Sequence, residues 1–248
     1  MSESTSTLER LRAGALAGTR RLDLAAAGLA EFPREIFALA DTLEVLNLSG
    51  NALQSLPADM ARLHRLRVLF CSDNAFTVLP PSLGACPALE MVGFKANRIH
   101  TVPAEALPAR LRWLILTDNA IEALPAQGWA RLARLEKLML AGNRLHTLPT
   151  EMVQCRQLAL VRIAANRFEA LPDWLLQLPQ LAWLACAGNP FSDAHAAASA
   201  SFAQAVPHID WQQLTLGKHL GEGASGVIHQ ALWRRDDEPA LPVAVKRF

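Results

Sequence analysis

Apolar residues recur along most of this chain in one fixed arrangement. The stretches LEVLNLSGNALQSLP from Leu43, LRVLFCSDNAFTVLP from Leu66, LEMVGFKANRIHTVP from Leu89 and LRWLILTDNAIEALP from Leu111 can be laid over one another. LEKLMLAGNRLHTLP from Leu135, LALVRIAANRFEALP from Leu158 and LAWLACAGNPF from Leu181 continue the series. Each copy carries an asparagine: Asn51, Asn74, Asn97, Asn119, Asn143, Asn166 and Asn189, at spacings of 23, 23, 22, 24, 23 and 23. A degenerate first copy, RLDLAAAGLAEFP, keeps Leu22 and Leu24 but has Ala27 where the asparagine is expected.

The L-x-L centre of each copy alternates with period 2, which predicts one short strand whose leucines point inward. The asparagine then turns the chain, and its amide can satisfy backbone groups that stacked turns leave unpaired. The Leu-Pro step ends strand pairing. The segment after it, such as ADMARLHR, closes the loop with a helical or irregular turn. No single copy can bury its own leucines, so the stacked array is the core, with its strands about 4.8 Å apart in one parallel sheet.

These copies resemble the leucine-rich repeat family, in its short form with Leu-Pro after each turn. The pattern L-x-x-L-x-L-x-x-N-x-L is followed at nearly every position. The resemblance implies an α/β fold: a solenoid with a parallel sheet on its concave face. The expected organisation is an N-terminal cap over 1–18, about eight repeats over 19–191, a C-terminal cap and linker over 192–209, and a separate segment over 210–248.

Strand residues between the inward leucines must face out of the concave side. One such column is Val45, Val68, Met91, Trp113, Lys137, Leu160 and Trp183; the next is Asn47, Phe70, Gly93, Ile115, Met139, Arg162 and Ala185. Phe70, Met91, Trp113, Ile115 and Met139 should form one apolar patch, with Trp183 further along. A patch of this kind marks a docking face for a protein partner or substrate, a contact in cis with another domain of the same protein included; ordinary packing under a cap or following domain would also cover it. Beside it, Glu44, Arg67, Glu90, Arg112 and Glu136 alternate in sign and should form an ion-pair ladder that fixes register. Arg98, Arg144 and Arg167 form a second stripe, expected to be a solvated face.

Composition narrows the picture further. The 248 residues are 51% hydrophobic and 19% charged with a formal net charge of +1, which suits a globular chain and gives no footprint for nucleic acid or a membrane surface. The seven histidines show no metal-ligand spacing, so no metal site is expected. Cys71, Cys86, Cys155 and Cys186 form no CxxC pair, and Cys71 and Cys186 fall at core positions, as expected in a reducing compartment. The N-terminal stretch has no apolar signal region and no run is long enough to span a membrane, so the expected location is the cytoplasm.

The last segment has a different character. Leu220, Gly221, Glu222, Gly223, Ala224, Ser225, Gly226 and Val227 form a glycine loop, followed by a strand-like run to Trp233, a polar turn RRDDEPALP and a second strand-like run from Val243. Together with Trp211–Leu220 as a first strand, the order is strand, loop, strand, turn, strand. This resembles the start of a protein kinase domain: Gly221, Gly223, Gly226 and Val227 are set against G-x-G-x-x-G-x-V, and Val243–Lys246 against V-A-I-K. The resemblance implies that the glycines let the backbone approach ATP phosphates, that Val227 and Ala244 cover the base, and that Lys246 meets the α/β-phosphates. The fold implied for 210–248 is the truncated, three-stranded start of a kinase N-lobe. No H-R-D or D-F-G stretch is present, so no catalytic residue is expected in this chain, and ATP and magnesium belong to the intact kinase rather than binding well here.

The expected function is therefore the N-terminal region of a cytoplasmic leucine-rich-repeat protein kinase acting on Ser/Thr. The alternative is a non-enzymatic repeat adaptor with a vestigial kinase segment. A repeat-containing ubiquitin ligase would need a nucleophilic cysteine beside acid/base groups, and the four cysteines sit inside the array instead.

Overall fold

The computed structural model describes residues 3–192, 209–223, 226–235 and 238–247. The chain divides into two compact units, Met1–His195 and Ala196–Phe248.

In the first unit a helix, α1 (Glu3–Arg12), precedes eight three-residue strands. These are β1 (Arg21–Asp23), β2 (Val45–Asn47), β3 (Val68–Phe70), β4 (Met91–Gly93), β5 (Trp113–Ile115), β6 (Lys137–Met139), β7 (Leu160–Arg162) and β8 (Trp183–Ala185). They form one parallel sheet in chain order. Register is in step throughout: Leu46, Leu69, Val92, Leu114, Leu138, Val161 and Leu184 stand side by side at the strand centres. All but Leu184 are buried, because Leu184 lies in the last strand with no following repeat described beside it. The returning segments are 3-10 turns, such as Pro81–Ala85 and Thr150–Gln154. They are short because a repeat near 23 residues leaves room for little more than one turn after the strand and asparagine corner.

The asparagines form a hydrogen-bonded ladder. Asn143 Oδ1 accepts from the Ile121 N–H at 3.0 Å, while its Nδ2 donates to the carbonyls of Leu116 and Leu140 at 2.9 and 3.0 Å. Asn166 repeats this with Leu145, Leu140 and Ile163. Each internal carbonyl thus receives two amides, one from its own repeat and one from the next. The residue before each asparagine must adopt positive φ to aim the amide inward. Glycine does so at 50, 142 and 188, but Ala96 and Ala165 are forced there, at φ 52° and 51°.

In the second unit a 3-10 turn at Trp211–Gln213 leads into three antiparallel strands: β9 (Leu214–Gly223), β10 (Gly226–Arg235) and β11 (Glu238–Arg247). β10 is central. The first strand starts at Leu214 rather than Trp211, because the Asp210 side chain caps the turn by accepting from the Gln212 N–H. β11 starts at Glu238, well before the expected Val243. As an edge strand it can hold Pro239 and Pro242, whose missing N–H groups need not serve the ladder. The C-terminal cap expected over 192–209 lies almost wholly outside the described residues.

Candidate functional site

The concave face is built by the outward residues of the short strands. Val68 pairs with Met91, Met91 with Trp113, and Trp113 with Lys137; in the next column Phe70 pairs with Gly93, Gly93 with Ile115, and Ile115 with Met139. Phe70, Met91, Trp113, Ile115 and Met139 are all half-buried, so register and neighbours leave each partly open. Phe70 owes its position to Gly93: a Cβ there would sit 2.6 Å from the ring, so the ring lies over the glycine. Trp183, on the last strand, is 58% exposed.

One contact on this face was not read from sequence, and one expected pair is closer than a plain ladder implies. The Lys137 ammonium lies 3.7 Å from the centroid of the Trp113 ring, a cation–π contact that shields one indole face. Glu136 is gripped by Arg112 through two bonds of 2.9 Å. That grip holds the Glu136 carboxyl below its ordinary range, with smaller help from Trp113 and Lys137 against the opposing effect of burial. The expected ion-pair ladder resolves into separate pairs: Arg20–Glu44, Arg67–Glu90 and Arg112–Glu136. Arg20 belongs to the degenerate first copy, where the repeat pattern is weakest. In the second stripe Arg98, Arg144 and Arg167 are exposed, and Arg144 approaches Glu122 at 3.6 Å.

Cys71, Cys86 and Cys155 are buried, and burial raises their thiol pKa values, to about 11 for Cys86 and Cys155. These sulfurs are protonated near neutrality and suit packing, not nucleophilic attack. Cys186 is half-buried, consistent with its place beyond the last strand.

In the second unit Gly223 and Gly226 are partners at the closed end of the β9–β10 hairpin, and Glu222 pairs with Val227. Ala224 and Ser225, between these two glycines in sequence, lie outside the described residues. Ile228 pairs with Gly221 on one side and Lys246 on the other, so these three stand in one row across the sheet. Gln230 pairs with Ala244 two residues further along. Ile228, Ala244 and Lys246 therefore share a face, and all are exposed. Leu220 is exposed on the neighbouring strand.

One expected site residue is corrected by this register. Val227 pairs with Arg247 and so faces away from Ala244 and Lys246. It cannot join Ala244 over a common ligand. Ile228 stands there instead, and it is also the second residue after Gly226, where G-x-G-x-x-G-x-V has its valine.

With the geometry in place, comparison with known proteins bears on the repeat unit. Residues 42–63 match the family described as Leucine Rich Repeat. The eight-stranded parallel sheet with short returning turns fits a leucine-rich-repeat solenoid. Among similar proteins, Podocan from Mus musculus is 35% identical over 151 residues, covering 58% of this chain and 24% of that protein. "Probable inactive serine/threonine-protein kinase roco10" from Dictyostelium discoideum is 30% identical over 131 residues, covering 51% and 5% respectively. Toll-like receptor 9 from Homo sapiens is 30% identical over 151 residues, covering 48% and 14%. The chain thus spans a quarter or less of the length of each of these relatives. Their names differ in kind, as expected where similarity follows the repeat. Among the described residues, no helix is long and apolar enough to cross a membrane.

Proposed function

We propose that the leucine-rich-repeat array docks a protein partner on its concave face, and that it is joined to the start of an ATP-dependent protein kinase domain acting on Ser/Thr. The observation that carries the docking role is the run of half-open apolar residues from Phe70 through Met91, Trp113 and Ile115 to Met139 on adjacent strands. Large apolar surface rimmed by polar groups is the usual mark of a protein interface, and Trp is favoured at its centre. The proposed location is the cytoplasm, with both units in one compartment.

The kinase part rests on the row Gly221–Ile228–Lys246. A Cβ at Gly221 would meet nothing within 4 Å, so the strand there has a bare backbone open to an approaching group. Residues of this kind fit a nucleoside triphosphate: Lys246 to meet phosphate charge, and Ile228 and Ala244 to cover the base. Magnesium would be held by residues other than those described here. The parent protein, rather than this stretch alone, would carry phosphate transfer. The alternative remains an adaptor with a vestigial kinase segment; one relative is itself named a probable inactive kinase.

Photo-crosslinking in the source cell tests the docking role. A benzophenone residue at Ile115 on the concave face should capture a discrete partner, whereas one at exposed Val153 on a returning turn should not. Equal capture from both positions, or none from Ile115, would rule out concave docking.

A further inference from the structure

We propose that the centre of the concave face takes an acidic peptide segment carrying a bulky apolar side chain. The proposal deepens the docking reading and rests on it. Strands β5, β6 and β7 present six outward residues: Trp113, Ile115, Lys137, Met139, Leu160 and Arg162. Four are apolar, two are cationic and none is acidic. The neighbouring acid, Glu136, is already held in two bonds by Arg112. Among the described residues neither Lys137 nor Arg162 is in an ion pair, so an acidic partner can offer both a direct countercharge.

The arrangement also sets a spacing. Arg162 pairs with Met139, which lies two residues along β6 from Lys137. Strand geometry puts the two cationic positions about 8 Å apart on a diagonal, with Met139 beside one and Trp113 beside the other. In an extended peptide, residues two apart are separated by roughly 7 Å. Two carboxylates at that interval could each reach a cation while a bulky apolar side chain lay against Trp113, Ile115 or Met139.

The Lys137–Trp113 contact links charge to apolar recognition. In the free chain the ammonium covers the indole at 3.7 Å. A carboxylate offers that ammonium a stronger partner than a ring quadrupole does. Drawing Lys137 outward uncovers the indole for the incoming apolar side chain. A peptide with both features gains twice at one position, whereas a neutral apolar peptide must displace Lys137 without compensation. Single-stranded nucleic acid is also anionic, but it favours a continuous basic track with aromatic platforms. Here Met139 and Leu160 flank the diagonal between the two cations, and Trp113 is the one aromatic residue of the six.

The test uses the full chain and four labelled peptides, read by fluorescence anisotropy. Their centres are Glu-Phe-Glu, Gln-Phe-Gln, Lys-Phe-Lys and Glu-Gly-Glu. Glu-Phe-Glu should bind at least about tenfold more tightly than each of the others and weaken as salt rises from about 50 to about 300 mM. The double change Lys137→Gln with Arg162→Gln should equalise Glu-Phe-Glu and Gln-Phe-Gln. Trp113→Ala should weaken Glu-Phe-Glu, with circular dichroism checking that both variants stay folded. If Gln-Phe-Gln binds equally well and depends on Trp113, docking stands and the acidic preference is overturned. If no peptide shows Trp113 dependence, the proposal fails, and crosslinking from Ile115 separately decides docking. Full displacement of Glu-Phe-Glu by oligothymidylate at lower concentration would assign the face to nucleic acid and overturn the proposal.

Discussion

Truncating Asn143 to alanine should destabilise the repeat array by roughly 4 kcal/mol. Asn143 is buried, and its amide serves three backbone groups at 2.9–3.0 Å, with a fourth, the Ala141 carbonyl, at a long 3.5 Å. The consequences for those groups differ. The Leu116 carbonyl keeps a bond from Asn119 Nδ2 at 3.0 Å, and the Leu140 carbonyl keeps one from Asn166 Nδ2 at 2.9 Å. The Ile121 N–H loses the acceptor it has in Asn143 Oδ1. An orphaned buried donor costs about 1–3 kcal/mol, and each carbonyl that loses one of two bonds adds about 0.5–1.5 kcal/mol. The middle of that range is about 4 kcal/mol. Amide hydrogen exchange should show the loss first at Ile121, where opening becomes roughly a thousandfold easier. Urea unfolding should report a lower midpoint in parallel. The matched change Asn97→Ala, at a half-buried turn that water reaches more readily, should cost less. The reasoning would be refuted by a loss below about 1 kcal/mol at Asn143, or by an equal loss at Asn97.

Other consequences follow from the same packing. Leu114→Ala removes a fully buried side chain at the sheet centre and should cost about 2–5 kcal/mol in chemical denaturation. Gly84→Ala should destabilise strongly by thermal melting, because its Cβ would lie within bonding distance of the Glu105 carbonyl oxygen on the next returning turn. Ala165→Gly should raise the melting temperature slightly, because glycine adopts the φ of 51° without the alanine penalty, an advantage partly offset by its greater unfolded freedom. The Glu136 carboxyl has a lowered pKa in the folded chain, so its contribution is complete above the unfolded value near 4.3 and is lost as pH falls through the folded value. Glu136→Gln should remove that part of the acid sensitivity in melts taken between about pH 6 and about pH 3.

Much of the repeat unit was legible because its physics is local and repeated. Leu46, Leu69 and Leu114 alternate with outward residues inside single strands, and each asparagine sits at a fixed offset from them. The outward columns could be read by the same counting. The Lys137–Trp113 contact could not, because it depends on how a long side chain folds back across a strand pair. Pairing of Arg20 with Glu44 was hidden by the degenerate first copy. In the second unit a single-residue slip was enough to misplace Val227, since adjacent strand positions face opposite ways. The delayed start of β9 came from a side-chain cap at Asp210, which competes locally with extended backbone.

Phosphate transfer tests the union of docking array and kinase most directly. Native protein purified from its source would be incubated with γ-labelled ATP and magnesium, alongside the same protein carrying Lys246→Met. Label should pass to protein Ser/Thr with the native lysine and fall by at least about a hundredfold without it. Transfer indifferent to Lys246, or none from the native protein, would contradict the kinase assignment and leave the concave face around Trp113 as the functional part.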